Sequence, residues 1–120
     1  MNYIKLKLGG KERGAKLGLG YLKFVTESRK VSLEELFKSV EGHNAALAVP
    51  ELIYSSLSYN AKRSGEGFEF SEEDVFDWID EDGGMNSPSL KIFIEAFTNS
   101  LGVNVGDEGK NTPPAKVAKK

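Results

Sequence analysis

Three serines frame this chain. Ser32, Ser71 and Ser87 each stand directly before an amphipathic stretch. A serine there can accept a hydrogen bond from a backbone N–H that the first turn of a helix leaves unpaired. Ser32 has Glu35 three residues on, the reciprocal partner of a capping box. Leu33, Leu36, Phe37 and Val40 then form one stripe of a short helix that Gly42 ends. Ser71 is followed by Glu72, Glu73 and Asp74, acids that suit the positive end of the helix dipole. Val75, Phe76 and Ile79 give that helix its inner side, Trp78 sits at its margin, and Asp82-Gly83-Gly84 ends it. Ser87-Pro88 opens a last helix, with proline at the position that needs no N–H. Its face is Leu90, Phe93, Ile94, Phe97 and Leu101, widened by Ile92 and Ala96, and Gly102 stops it. As the most hydrophobic helix it is expected at the centre of the core.

The longest helical pattern runs from Asn44 to Arg63 and contains Pro50. Proline removes a donor and crowds the preceding turn, so a kink or a restart at Pro50 is expected. Beyond it Ile53, Leu57 and Ala61 make one row, flanked by Tyr54, and the helix should stop near Ser64-Gly65. Tyr54 and Tyr59 are read as buried rings with wet hydroxyls rather than as partner-facing residues. The N-terminus follows a different period. Ile4, Leu6 and Leu8 alternate with Tyr3, Lys5 and Lys7, the pattern of a half-buried strand. Gly9-Gly10 can then turn the chain into a return strand, Lys11 to Lys16, although Gly14 interrupts it. Gly18-Leu19-Gly20 lacks the third glycine of a dinucleotide fingerprint and reads as a flexible lead-in from strand to helix. The fold class expected is mainly α (α+β): a short N-terminal β-hairpin followed by four to five short packed helices. Residues 1–102 should form one compact helical domain. Residues 103–120, with Pro113-Pro114 and Lys119-Lys120 and few large apolar groups, are expected to be a disordered basic tail.

Composition excludes several chemistries. There is no cysteine, so disulfides and thiolate catalysis are absent. The single histidine, His43, has no metal-ligand spacing around it and is expected to cap or to be exposed. Asp74, Asp77 and Asp80 are spaced by three along a helix rather than arranged as a cation-binding loop. No catalytic, cofactor-binding or metal residue is nominated, and the chain is read as a binding domain rather than an enzyme. The longest apolar run, Ala45 to Val49, is too short to span a bilayer, and no signal-peptide pattern opens the chain.

Charge is segregated although the net charge is only −2. Residues 1–30 carry eight basic groups against two acids, whereas residues 66–82 carry nine acids and no base. The candidate basic face is Lys5, Lys7, Lys11, Arg13 and Lys16, and the candidate acidic face is Glu73, Asp74, Asp77, Asp80 and Glu81. Two solvated faces would account for this. So would head-to-tail self-association, in which opposed patches steer encounter and set register. Nucleic acid is a poorer fit, because the basic residues follow a strand and the acidic segment opposes it.

Several runs taken in order resemble the tail assembly chaperones of long-tailed, siphovirus-like bacteriophages. They are Leu8-Gly9-Gly10-Lys11-Glu12-Arg13, Leu17-Gly18-Leu19-Gly20-Tyr21-Leu22 and Leu52-Ile53-Tyr54-Ser55-Ser56-Leu57. Phe70-Ser71-Glu72-Glu73-Asp74-Val75-Phe76-Asp77-Trp78-Ile79-Asp80 and Ile94-Glu95-Ala96-Phe97-Thr98-Asn99-Ser100-Leu101 complete the set. The resemblance implies a small α-rich fold that coats the tape measure protein, keeps it soluble and helps recruit tail tube protein. It implies work in the host cell cytoplasm and absence from the mature virion. The resemblance also implies, for many members, a frameshifted longer form; no extension domain is expected within these 120 residues. The other functions considered are a structural tail subunit, tube or completion protein, and a small nucleic-acid-binding regulator.

Overall fold

The computed structural model describes residues 3–65, 67 and 69–100. The expected tail, together with Leu101 and Gly102, lies outside the described residues.

Strand β1 (Tyr3–Leu8) pairs antiparallel with β2 (Lys11–Lys16) along their whole length, from Leu8 opposite Lys11 to Tyr3 opposite Lys16. Gly9 and Gly10 have φ of 63° and 83°, the two positive angles of a tight hairpin turn whose twist matches the strands. Gly14 does not break the return strand, because the Tyr3 hydroxyl and the Asn60 amide occupy the place a side chain would take. Paired residues share a face. Ile4, Leu6, Leu8 and Ala15 therefore point inward together with Lys11 and Arg13, while Tyr3, Lys5, Lys7, Glu12 and Lys16 point outward.

Helix α1 (Leu19–Arg29) starts after Gly18 and ends in the left-handed residue Lys30. The lead-in is tight rather than flexible. Gly20 lies in the first turn of α1, and a Cβ there would collide with the Tyr59 hydroxyl. Glycine at an open helical position is normally a liability of about 1 kcal/mol. At this crossing the sign reverses, and Gly20→Ala is expected to destabilise the chain by ~1–2 kcal/mol. Urea denaturation checks this, and Tyr59→Phe, which removes the obstructing oxygen, should recover part of the loss.

Helix α2 (Leu33–Ser39) carries the anticipated capping box: Glu35 N–H donates to Ser32 Oγ at 3.1 Å, and Ser32 N–H donates to Glu35 Oε1 at 2.9 Å. Leu36 is buried and Phe37 and Val40 are half-buried, but Leu33 is exposed. A helix of only seven residues brings its middle turn to the core and leaves its first residue outside.

A single turn of 3₁₀ helix (Gly42–Asn44) leads into α3 (Ala45–Ser64). Helix α3 runs as one helix through Pro50, so the restart does not occur. Pro50 is the sixth residue, so one backbone bond near the N-terminus is lost, and burial of Val49, Pro50, Leu52 and Ile53 holds the segment in place. The row Ile53, Leu57 and Ala61 is buried as expected, and Gly65 ends the helix in the left-handed conformation. Both tyrosines are turned toward the molecule: Tyr54 is half-buried and Tyr59 is buried.

Helix α3, not the last helix, lies at the centre. β2, α1, α2, α4 and α5 all pack against it. Helix α4 (Glu72–Glu81) is capped by Ser71 and Asp74 in reciprocal bonds of 3.2 and 2.8 Å. A second 3₁₀ turn (Gly84–Asn86) leads to α5 (Pro88–Ser100), which buries Leu90, Phe93 and Phe97. Ile92 is exposed rather than part of the inner face. Ser87, the residue before Pro88, is buried; its hydroxyl donates to Asp82 at 2.5 Å and accepts Ser89 N–H at 3.2 Å.

Tyr21 is wholly buried and donates its hydroxyl to the Leu52 carbonyl at 2.7 Å. Burial pushes its pKa far above the ordinary value, against a smaller opposite pull from Arg29. The folded state therefore excludes the phenolate. The stabilisation is complete below the unfolded value of 10.0 and is lost as pH rises above it. Tyr21→Phe is expected to be about 1 kcal/mol less stable near neutrality, and the gap to the parent should narrow only above the unfolded value of 10.0. Denaturation series at several alkaline pH values measure the gap.

Candidate functional site

The two charged faces seen in the sequence occupy adjoining parts of the fold, and one residue from each meets the other. Arg13 is on the inner face of the hairpin, half-buried at its tip. Its Nε donates to the Leu8 carbonyl at 2.9 Å, which turns the guanidinium toward α4. There it lies 4.1 Å from the centre of the Trp78 ring and 5.2 Å from that of Phe70. Phe70 in turn packs on Trp78 with centroids 5.3 Å apart. Burial lowers the pKa of Arg13, and the Asp74 carboxylate opposes that shift. Arginine nevertheless remains charged at any physiological pH, which preserves the cation–π contact.

Arg13 and Asp74 therefore serve the interior of the molecule more than a docking face. Asp74 is also committed to capping Ser71. What is left outside is more sharply divided than the sequence suggested. Glu73, Asp77, Asp80 and Glu81 are all exposed. Their spacing of four, seven and eight residues from Glu73 makes one stripe along α4, opposite the buried Val75 and Ile79. Lys5 and Lys7 are exposed on the outer face of the hairpin beside the half-buried Lys16, and Lys11 is exposed at its tip. Among the described residues no ion pair joins these lysines to that acidic stripe.

Two other features escaped the sequence reading. An open groove of about 580 Å³ runs beside the hairpin tip, lined among others by Lys11, Arg13, Leu57, Asn60, Phe70 and Trp78. Arg29 joins three helices. It donates to Glu72 Oε1 at 2.6 Å, to Ser55 Oγ at 3.2 Å, and to both the carbonyl and the carboxylate of Glu51 at 3.2 and 3.4 Å. Arg29 and Glu72 thus leave the basic and acidic tallies as an internal pair. Nothing local in the sequence marks either feature, since both join residues more than twenty positions apart.

His43 is exposed on the first 3₁₀ turn, beside a small cleft of about 140 Å³ shared with Met85, Leu90 and Ile94. Among the described residues there is no group of three or more His, Cys, Asp or Glu side chains placed to hold a metal ion. No described helix is long and apolar enough to cross a membrane. Comparison with protein-family models, curated proteins and solved structures returns no match for this chain.

Proposed function

We propose that this chain is a tail assembly chaperone of a long-tailed bacteriophage: a small binding protein, not an enzyme, that covers the tape measure protein and helps bring tail tube protein to it. The observation that carries the reading is the exposed charge polarity. The acidic stripe of α4 and the lysines of the hairpin are both solvent-facing and unpaired with each other among the described residues. A coat for a long partner needs many copies that join reversibly, and opposite charges on one chain favour such head-to-tail contacts. The resemblance of the hairpin turn, α4 and α5 sequences to that family points the same way.

A chaperone of this kind works in the host cytoplasm and leaves before the particle matures. The test is to follow the chain through infection. It should be abundant in infected-cell extract and missing from purified virions. Its recovery from virions in proportion to tail proteins would instead make it a structural tail subunit.

A further inference from the structure

The two edges of the hairpin are not equivalent. In a hairpin closed by a two-residue turn, the pair flanking the turn exchanges both backbone hydrogen bonds, and bonded and non-bonded pairs alternate from there. Leu8–Lys11, Leu6–Arg13 and Ile4–Ala15 are then the bonded pairs. Tyr3, Lys5 and Lys7 on β1, and Glu12, Gly14 and Lys16 on β2, direct their N–H and C=O groups away from the partner strand. An independent contact agrees with this alternation: the Lys16 carbonyl accepts the Ser56 hydroxyl of α3 at 2.8 Å. Helix α3 thereby covers the β2 edge. On β1, no hydrogen bond among the described residues reaches the outward backbone groups of Lys5 or Lys7, and both residues are exposed.

We propose that the β1 edge is a docking site for an extended peptide segment of a partner protein in which acidic residues alternate with apolar ones, added as a third strand. Backbone chemistry calls for an extended chain, because only a strand presents N–H and C=O groups at the spacing of Lys5 and Lys7. Charge selects its composition. Side chains of the added strand that fall on the outer face would lie beside Lys5 and Lys7, where acids are attracted and bases repelled. Side chains on the other face would continue the apolar row of Ile4, Leu6 and Leu8. The same lysines argue against a second copy pairing through its own β1, which would set lysines against lysines. This goes beyond the chaperone reading and does not depend on it.

The experiment uses the full chain, labelled with ¹⁵N, and a blocked synthetic peptide of alternating valine and glutamate, with a valine–lysine peptide as control. In the free chain the amides of Lys5 and Lys7 should exchange with solvent quickly, while those of Leu6 and Leu8 are protected. Adding the valine–glutamate peptide should slow exchange at Lys5 and Lys7 and leave Leu6 unchanged, with binding that weakens as salt is raised. The lysine peptide should bind at least about tenfold more weakly. Lys5→Pro removes an outward N–H without touching the hairpin ladder, so the hairpin should survive and peptide binding should be lost. Lys5→Glu with Lys7→Glu should exchange the preference between the two peptides. Protection of Lys5 and Lys7 in the free chain, or failure of the glutamate peptide to protect them, would overturn the proposal. So would undiminished binding by a folded Lys5→Pro chain; if that variant does not fold, the charge-exchange pair decides.

Discussion

Phe97→Ala is expected to lower stability by ~3–5 kcal/mol, a large share of the ~5–15 kcal/mol that holds a typical domain together. Phe97 is almost fully buried near the end of α5. Its ring stacks on Phe93 at 6.0 Å and meets Tyr21 of α1 and Phe37 of α2 edge-on at 6.4 and 6.1 Å. One side chain therefore closes the junction of three helices. Alanine would leave a void that the surrounding rings cannot fill, since each is fixed by contacts elsewhere: Tyr21, for example, is tied by its hydroxyl to α3. Phe97→Leu keeps most of the volume and should cost less than about half as much. Ile92→Ala, on the exposed side of the same helix, should stay within about 0.5 kcal/mol. Urea unfolding of the three variants gives the order directly. Equal shifts for Phe97→Ala and Ile92→Ala would mean that α5 is not packed as described.

The second large effect is expected at the hairpin turn. Gly9→Val should cost about 3 kcal/mol, because two penalties coincide. With φ at 63°, a β-branched residue is strained whatever surrounds it. In addition, a Cβ at this position would come within 2.6 Å of the Trp78 ring and 3.0 Å of the Arg13 guanidinium. The side chain would push Trp78 away from Arg13 and open the seam between hairpin and α4. Gly10 is also left-handed, but a Cβ there would meet nothing. Gly10→Asn should consequently be mild, as asparagine tolerates that conformation. Trp78, the only tryptophan, reports the difference. Its emission should shift to longer wavelength in folded Gly9→Val and stay unchanged in Gly10→Asn.

Elements with a local cause were legible from the sequence. The caps at Ser32, Ser71 and Ser87, the Gly65 stop and the alternation of β1 all depend on residues within a turn of one another. The mainly helical architecture behind a two-stranded hairpin followed from them. Burial at the ends of stripes was not legible. Leu33 and Ile92 fit their periodic faces yet point outward, because a stripe does not say how far the neighbouring element reaches. Hydrophobicity alone points to the last helix as the centre of the core, whereas length and position give that place to α3, which α1, α2, α4, α5 and β2 all touch.

Glycine gave the most instructive difference. Gly14 and Gly20 looked like weak points and are places of close approach, one beneath Tyr3 and Asn60, the other against Tyr59. A glycine that gives flexibility and one that admits a neighbour look alike until the neighbour is known. The charged faces behaved similarly. Sequence position grouped Arg13 with the hairpin lysines and Asp74 with the α4 acids. Register turned Arg13 inward onto Trp78, and capping turned Asp74 back onto Ser71. The remaining exposed charges form the cleaner pair of surfaces on which the functional reading rests.

That reading is tested most directly by co-expressing the chain with a tape measure protein from the same genome, then measuring the mass of the affinity-purified complex by light scattering. The chaperone account predicts a soluble tape measure protein carrying many copies of this chain. It also predicts that copies are shed when Glu73, Asp77, Asp80 and Glu81 are changed to lysine. A chain that stays monomeric and does not co-purify, while the tape measure protein aggregates without it or with it alike, would contradict the account.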